Sequence, residues 1–391
     1  MSLHICVPAH AERDWLPSTL FSLEAQNDRD FQVWICINHA YEDESDPSHA
    51  KAVANNRDTL AWIRQHSFGF PLHVIDATGA AAPSRKQAGV GWARRTLFES
   101  AFKAGAHVCV SLDADTTIPS DYVSKVRAAF DHHPNAIALT APYHHPVDFD
   151  AENARQTLRY EIYMRWYQVG LWRAGSPYAF LPLGSAMACT RRGYELATMP
   201  DRKAGEDFYF LQALRKSGPV IRWIDATVTP AARPSHRVPF GTGHALRQSL
   251  PQLQKQFPLY SMSHFMCLSR LFQQFYDLYT DDIDTELGLF LDRIGGLETF
   301  RRIRNNVSDV DHFVRSCHQK FDALRTLQFL KFLNTTPKSD FEALSEMEQI
   351  DACDPSTDAL PKLERTRSQL AQLEASYQRA FMTHWDNRAK W

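Results

Sequence analysis

Cysteine is sparse and scattered. The seven cysteines, at 6, 36, 109, 189, 267, 317 and 353, form no Cys-x-x-Cys pair and their total is odd. That excludes a disulfide framework and a clustered zinc site, and it fits reduced thiols in a cytoplasmic setting. Long apolar runs are also missing, and no stretch approaches the ~18 residues of a membrane-spanning helix. The start, Met1 to Pro8, lacks the basic region and long apolar segment of a secretion signal and reads as a strand. Nor is there an excess of either charge: 43 Lys and Arg against 45 Asp and Glu leave a net charge of −2. A nucleic-acid partner is therefore not expected, nor is an acidic disordered chain. No internal repeat or low-complexity tract is present. What remains, 391 residues with 44% apolar and 23% charged, describes an ordinary globular chain long enough for two domains.

In the first half, short apolar runs alternate with helical patterns. Ile5 to Val7, Phe31 to Ile37, Leu72 to Ile75, Val108 to Leu112 and Ile137 to Thr140 are rich in Val, Ile and aromatics, as parallel strands buried on both faces are. Leu16, Leu20 and Leu23, with Pro17 near the start, mark a helix, and Ala52 to His66 and Arg94 to Ala104 mark two more. The alternation predicts a doubly wound α/β sheet with ligands at the carboxyl ends of its strands. Val220 to Val228 also reads as strand. From Asn153 to Gly170 an aromatic helix (Tyr160, Tyr163, Trp166, Tyr167) is expected to pack on the sheet. After Pro251 the chain turns to amphipathic helices. Ser308 is placed as the cap of one running to Leu333, and Ser339 with Glu342 forms a capping box. The predicted division is 1–245 and 246–391, the second part all-helical.

Four local features carry chemistry. An apolar strand ends in Leu112-Asp113-Ala114-Asp115, two carboxylates whose hard oxygens suit Mg²⁺ or Mn²⁺. Val7-Pro8-Ala9-His10-Ala11-Glu12 is a strand feeding a loop. Gly89-Val90-Gly91-Trp92-Ala93-Arg94 opens a basic helix. Gly205-Glu206-Asp207 opens another, where acids also complement the helix dipole without any function. Arg233 to His244, with two arginines, histidines and Gly-x-Gly, suits a loop closing over phosphates; Arg85 and Lys86 are similar candidates. The acidic stretch Tyr41 to Pro47 reads as a solvated turn, and His144 with His145 as plain loop.

In this order the four features resemble the family 2 glycosyltransferases of the GT-A fold, over roughly residues 3–245. The resemblance implies a GT-A domain, a Rossmann-like, mostly parallel sheet flanked by helices, with the all-helical tail outside it. It implies a metal-dependent, inverting, non-processive transferase that moves one sugar from a UDP- or GDP-sugar donor to an acceptor hydroxyl. Asp207 would be the catalytic base, with Glu206 second. Pro8, Ala9, His10, Glu12, Asn38, Arg94, Asp113, Gly184 and Arg237 would line the donor site. Asp115, Asp113 and His236 would hold Mn²⁺ or Mg²⁺. Asn38 stands where the family often has Asp. The Gln-x-x-Arg-Trp motif of processive synthases is absent, since Arg222-Trp223 lacks the glutamine. A glycan or lipid-linked acceptor is expected, the latter needing only transient contact with the inner membrane face. Two other readings compete: a haloacid-dehalogenase-like phosphatase with Asp113 as nucleophile, and a non-catalytic nucleotide-sugar-binding protein.

Overall fold

The computed structural model describes residues 1–235 and 241–384. The chain forms two compact units, Met1–Pro146 with Pro182–His244, and Val147–Leu181 with the chain from Ala245 onward. The second unit thus takes in a segment that precedes the last strands of the first. The chain passes between the units at 146/147, 181/182 and 244/245.

The first unit is built on strands β1 (Leu3–Ala9), β2 (Phe31–Asn38), β3 (Leu72–Ala77), β4 (Val108–Ser111), β5 (Thr116–Thr117), β6 (Ala138–Thr140), β7 (Met187–Thr190), β8 (Val220–Ile221) and β9 (Thr229–Pro230). Seven of them form one sheet in the order β3-β2-β1-β4-β7-β6-β8. β1 pairs in parallel with both β2 and β4, so Ile5 lies between Val33 and Val110. All three side chains are fully buried, which is why these runs are apolar without alternation. β2 and β3 are parallel, as are β6 and β8, whereas β7 runs antiparallel to both neighbours. The sheet is therefore mixed but mostly parallel, as expected from the sequence. Strand order reverses between β1 and β4, where the crevice at the carboxyl edge opens.

Helices α1 (Leu16–Glu24), α2 (Ala50–Arg64), α3 (Val90–Lys103) and α4 (Tyr122–His132) accompany the strands. Thr19 on α1 donates to the Ala114 carbonyl at 2.9 Å, tying the turn after β4 to the first helix. The expected strand from Val220 to Val228 is only partly formed. Trp223 donates through Nε1 to Asp225 at 3.1 Å, and this local side-chain bond accompanies a turn where the ladder would have continued. The chain rejoins a ladder at β9, which pairs with β5, and the Ala231 amide then donates to the Asp115 carbonyl at 3.1 Å.

In the second unit the aromatic helix α5 (Ala154–Arg173) packs on other helices, not on the sheet as the sequence suggests. Trp172 stacks on Tyr377 with centroids 3.8 Å apart, and Trp166 donates to the Tyr260 carbonyl at 2.7 Å. The expected single helix from Ser308 to Leu333 is two helices, Val310–Lys320 and Ala323–Leu333. Asp309, not Ser308, caps the first, accepting from His312 N at 2.8 Å. Asp322 caps the second by accepting from Arg325 N at 3.1 Å, and a residue that satisfies a new helix start interrupts the old one. The Ser339–Glu342 capping box is present. A buried bidentate pair, Arg159 with Asp340 at 2.8 and 2.9 Å, joins α5 to that short helix. No helix among the described residues is long and apolar enough to cross a membrane.

Candidate functional site

β1 ends at Ala9, and the chain turns through Ala11 in the left-handed region at φ 57°. Asn56 on α2 fixes that turn: its Oδ1 accepts the Ala11 amide at 2.8 Å, while its Nδ2 donates to the Asn38 carbonyl at 3.1 Å. His10 Nδ1 lies 2.7 Å from the same carbonyl, so the ends of β1 and β2 are pinned together. The acidic stretch is not a free solvated turn. Asp43 is buried and accepts the Ala40 amide at 3.0 Å, and Asp43 and Asp46 hold Arg85 at 2.9 and 3.1 Å. Arg85 is thereby committed to this loop, and Glu44 reaches His39 at 2.8 Å and the Gly79 amide at 3.0 Å. His145 is buried against Tyr143, rings 5.6 Å apart, and the His144 amide donates to Val228.

Two charge clusters occupy the end of β4. The first is centred on Arg94 in the opening turn of α3. Its guanidinium is buried and pairs with Asp113 and Glu206, while Nε donates to Ser111 Oγ at 3.1 Å. Burial works against its charge, but Asp113, Glu206 and Asp207 together raise its pKa. The wall behind it is Gly184: a Cβ there would overlap the guanidinium, so a larger residue would have to displace Arg94. α3 reaches its position through a second close approach, at Gly91, where a Cβ would lie 2.7 Å from the Arg202 nitrogen and the Pro200 oxygen.

After the short helix α6 (Arg191–Leu196), Glu206 and Asp207 open helix α7 (Glu206–Ser217). Asp207 accepts the Gly184 amide on Oδ2 at 2.9 Å and its neighbour Phe208 on Oδ1 at 2.8 Å. Burial raises the Asp207 pKa against the opposing pull of Arg94 and these amides. Burial also pushes Glu206 up to about 7, with Arg94 pulling it down and Asp207 adding to the rise.

The second cluster is centred on Arg233. Its Nε donates to Asp115 Oδ2 at 2.8 Å, and one Nη donates to both Glu12 oxygens at 2.5 and 2.6 Å. The guanidinium lies 5.1 Å from the centroid of Trp15, which is 41% exposed. Asp115 is pushed up to about 6 by burial and by Asp113, with Arg233 opposing.

Of the residues named from sequence, Glu12, Arg94, Asp113, Asp115, Gly184, Glu206 and Asp207 fall into these two clusters. Pro8 and Ala9 are backbone of β1, opposite Cys36 and Ile37. His10 and Asn38 meet at the strand ends. His236 and Arg237 lie outside the described residues. The sequence reading missed Ser111, Asn56 and the pairing of Arg233 with Glu12 and Asp115. Only the loop character around Arg233 hinted at the last, and nothing in the local sequence around Asn56 marks it.

Among the described residues, no group of three or more His, Cys, Asp or Glu is arranged to hold a metal ion by itself. Asp113 is nonetheless 39% exposed on its side chain, with one oxygen taken by Arg94. Such a pair of carboxylates fits an ion that brings the rest of its coordination from phosphate oxygens and water, as Mg²⁺ and Mn²⁺ do with nucleotides.

No known family model matches the chain, and no curated protein matches it. Solved structures with some likeness include S. aureus TarS 1–349 in complex with UDP-GlcNAc, at 13% identity and TM-score 0.41, covering 98% of this chain and 92% of that one. Another is the mannosyltransferase PcManGT from Pyrobaculum calidifontis in complex with GDP-Man and Mn²⁺, at 14% identity and TM-score 0.41, covering 96% and 86%. A mycobacterial protein is similar over 66% of this chain and 74% of its own, at 16% identity and TM-score 0.37. These likenesses are too loose to bear on function, which is read from the side chains.

Proposed function

We propose that the chain is a nucleotide-sugar-dependent glycosyltransferase of the GT-A type, related to family 2, that transfers one sugar per encounter with inversion. The observation that carries this reading is the pairing of Arg94 with both Asp113 and Glu206. One buried guanidinium joins the carboxyl end of β4 to the start of α7, so acids about 93 residues apart in sequence share one site.

The chemistry asks for positive charge at a departing diphosphate and for a base at the acceptor hydroxyl. Unit charges ~4 Å apart interact by about 4 kcal/mol at an effective dielectric of 20, against about 1 in bulk water, so a half-buried site strengthens each interaction. Mn²⁺ or Mg²⁺ bound by Asp113 and Asp115 would stabilise the diphosphate as a Lewis acid. Arg94 orients Asp113 for that contact. Asp207, with each oxygen engaged by one amide and lone pairs to spare, takes the hydroxyl proton. Its raised pKa makes it a stronger base than a free aspartate. Against the phosphatase reading, Asp113 is tied to Arg94 and follows the fourth strand of the chain, not the first.

A thermal-shift panel of UDP-, GDP-, CMP- and dTDP-sugars, with and without Mn²⁺, tests the proposal. A donor that binds the folded state raises the melting temperature, by about 2.7 kcal/mol of stability at a hundredfold excess over its dissociation constant. A UDP- or GDP-sugar should shift the transition, more so with Mn²⁺. Absence of any shift across the panel would remove the reading.

A further inference from the structure

Arg94 and Arg233 serve the same strand end but are held very differently. Arg94 is 4% exposed on its side chain, has Asp113, Glu206 and Ser111 as partners, and is walled in by Gly184. Arg233 is 20% exposed, follows the two-residue strand β9, and among the described residues its side chain meets Glu12, Asp115 and the face of the exposed Trp15. Its partners Glu12 and Asp115 are 6% and 17% exposed. Two acids crowded into a half-buried site repel one another, and Asp113 adds to that repulsion at Asp115. Arg233 lies between these two acids and pairs with both.

We propose that Arg233 is a displaceable internal cation, holding Glu12 to Asp115 until a divalent ion arrives with the nucleotide and takes Asp115 from it. This rests on the reading of Asp113 and Asp115 as the ion-binding pair. The exchange replaces one positive charge by two beside the carboxylates of Asp115 and Glu12. Arg94 cannot exchange in this way, because the same guanidinium also pairs with Glu206 and has no room to turn. Arg233 is thus a positioning residue. It competes with a free ion for Asp115. A divalent ion should accordingly bind weakly alone and much better with nucleotide.

The test measures Mn²⁺ binding by electron paramagnetic resonance of the free ion, with UDP or GDP present, for the full-length protein and its variants. Arg233→Met removes the competitor and should bind Mn²⁺ at least about tenfold more tightly than wild type, the equivalent of about 1.4 kcal/mol. Arg233→Lys keeps the charge but loses the forked contact to two acids, so its affinity should fall between the two; it also serves if the methionine variant does not fold. Asp115→Asn should lose binding. The guanidinium over Trp15 supplies a second readout: Mn²⁺ with UDP or GDP should change tryptophan emission in wild type, but not in Trp15→Phe. Equal or weaker Mn²⁺ binding by both Arg233 variants, with Asp115→Asn still defective, overturns the exchange and leaves the ion site standing. Wild-type affinity in Asp115→Asn overturns the ion-pair reading itself and the exchange with it.

Discussion

Gly184 lies directly against the Arg94 guanidinium, with no space for even a methyl group between them. The same glycine donates its amide to Asp207 at 2.9 Å, so one residue sets the position of the central arginine and of the candidate base. Gly184→Ala should therefore push Arg94 off Asp113 and Glu206. Overpacking of this kind costs about 1–3 kcal/mol, and breaking a buried pair adds to it. A lowered melting temperature with loss of donor binding is expected. Unchanged stability and binding would mean that Arg94 is not confined there.

Asp207→Asn keeps an oxygen for one of the two backbone amides and sets its NH2 against the other, so it should cost about 1–3 kcal/mol of stability. Donor binding by thermal shift should persist. Transfer should fall by about 10²–10⁴, the range for loss of a general base. Near-normal turnover in a coupled assay for released nucleotide would remove Asp207 from the chemistry.

Glu206 titrates near neutrality in the folded chain because burial pushes it up to about 7 against the pull of Arg94. A carboxyl whose folded pKa lies above its unfolded value binds more protons when folded. Its contribution to stability is present below the unfolded pKa, near 4.5, and is lost as pH rises from there through about 7. The melting-temperature difference between wild type and Glu206→Gln should therefore decline between pH 5 and pH 8. A difference that is flat or rises would show that Arg94 keeps Glu206 ionised throughout.

In the helical unit, Arg159→Ala leaves Asp340 as an uncompensated buried carboxylate, with only Gln254 donating to it at 3.1 Å. Removal of one partner from such a pair typically costs about 3–5 kcal/mol. Arg159→Met combined with Asp340→Leu leaves no charge unpaired and should recover most of that loss in chemical denaturation. A double variant as unstable as the single one would mean that the pair contributes by more than charge balance.

Much of the sheet was legible because strands buried on both faces read as unbroken apolar runs, although the edge strand β3 is only partly buried and leaves Val74 exposed. The five apolar runs from Ile5 to Thr140 all overlap strands that the sheet contains. Val220 to Val228 contributes only two residues to the main sheet; unlike the other runs it carries Arg222 and Asp225, and the ladder ends at Ile221, before both. The helix breaks at Asp322 for a related reason: an aspartate inside an amphipathic stripe is silent until its backbone donor, Arg325, is in place. The aromatic face of α5 was visible, but whether it met sheet or helix depended on partners more than 200 residues away, such as Tyr377.

The acids of the site could be picked out by type and order, because oxygen ligands and bases at strand and helix ends are local features. Asp113, Asp115, Glu206 and Asp207 are all of that kind. The arginines that neutralise them are not. Arg94 reaches across to α7, and Arg233 returns from beyond β9 to Glu12, 221 residues away. Sequence order therefore determined which carboxylates gather at the sheet edge, through the alternation of buried strands with helices. Tertiary structure alone decided which cation each carboxylate meets, because charge pairing depends on distances of a few ångströms that chain separation does not encode.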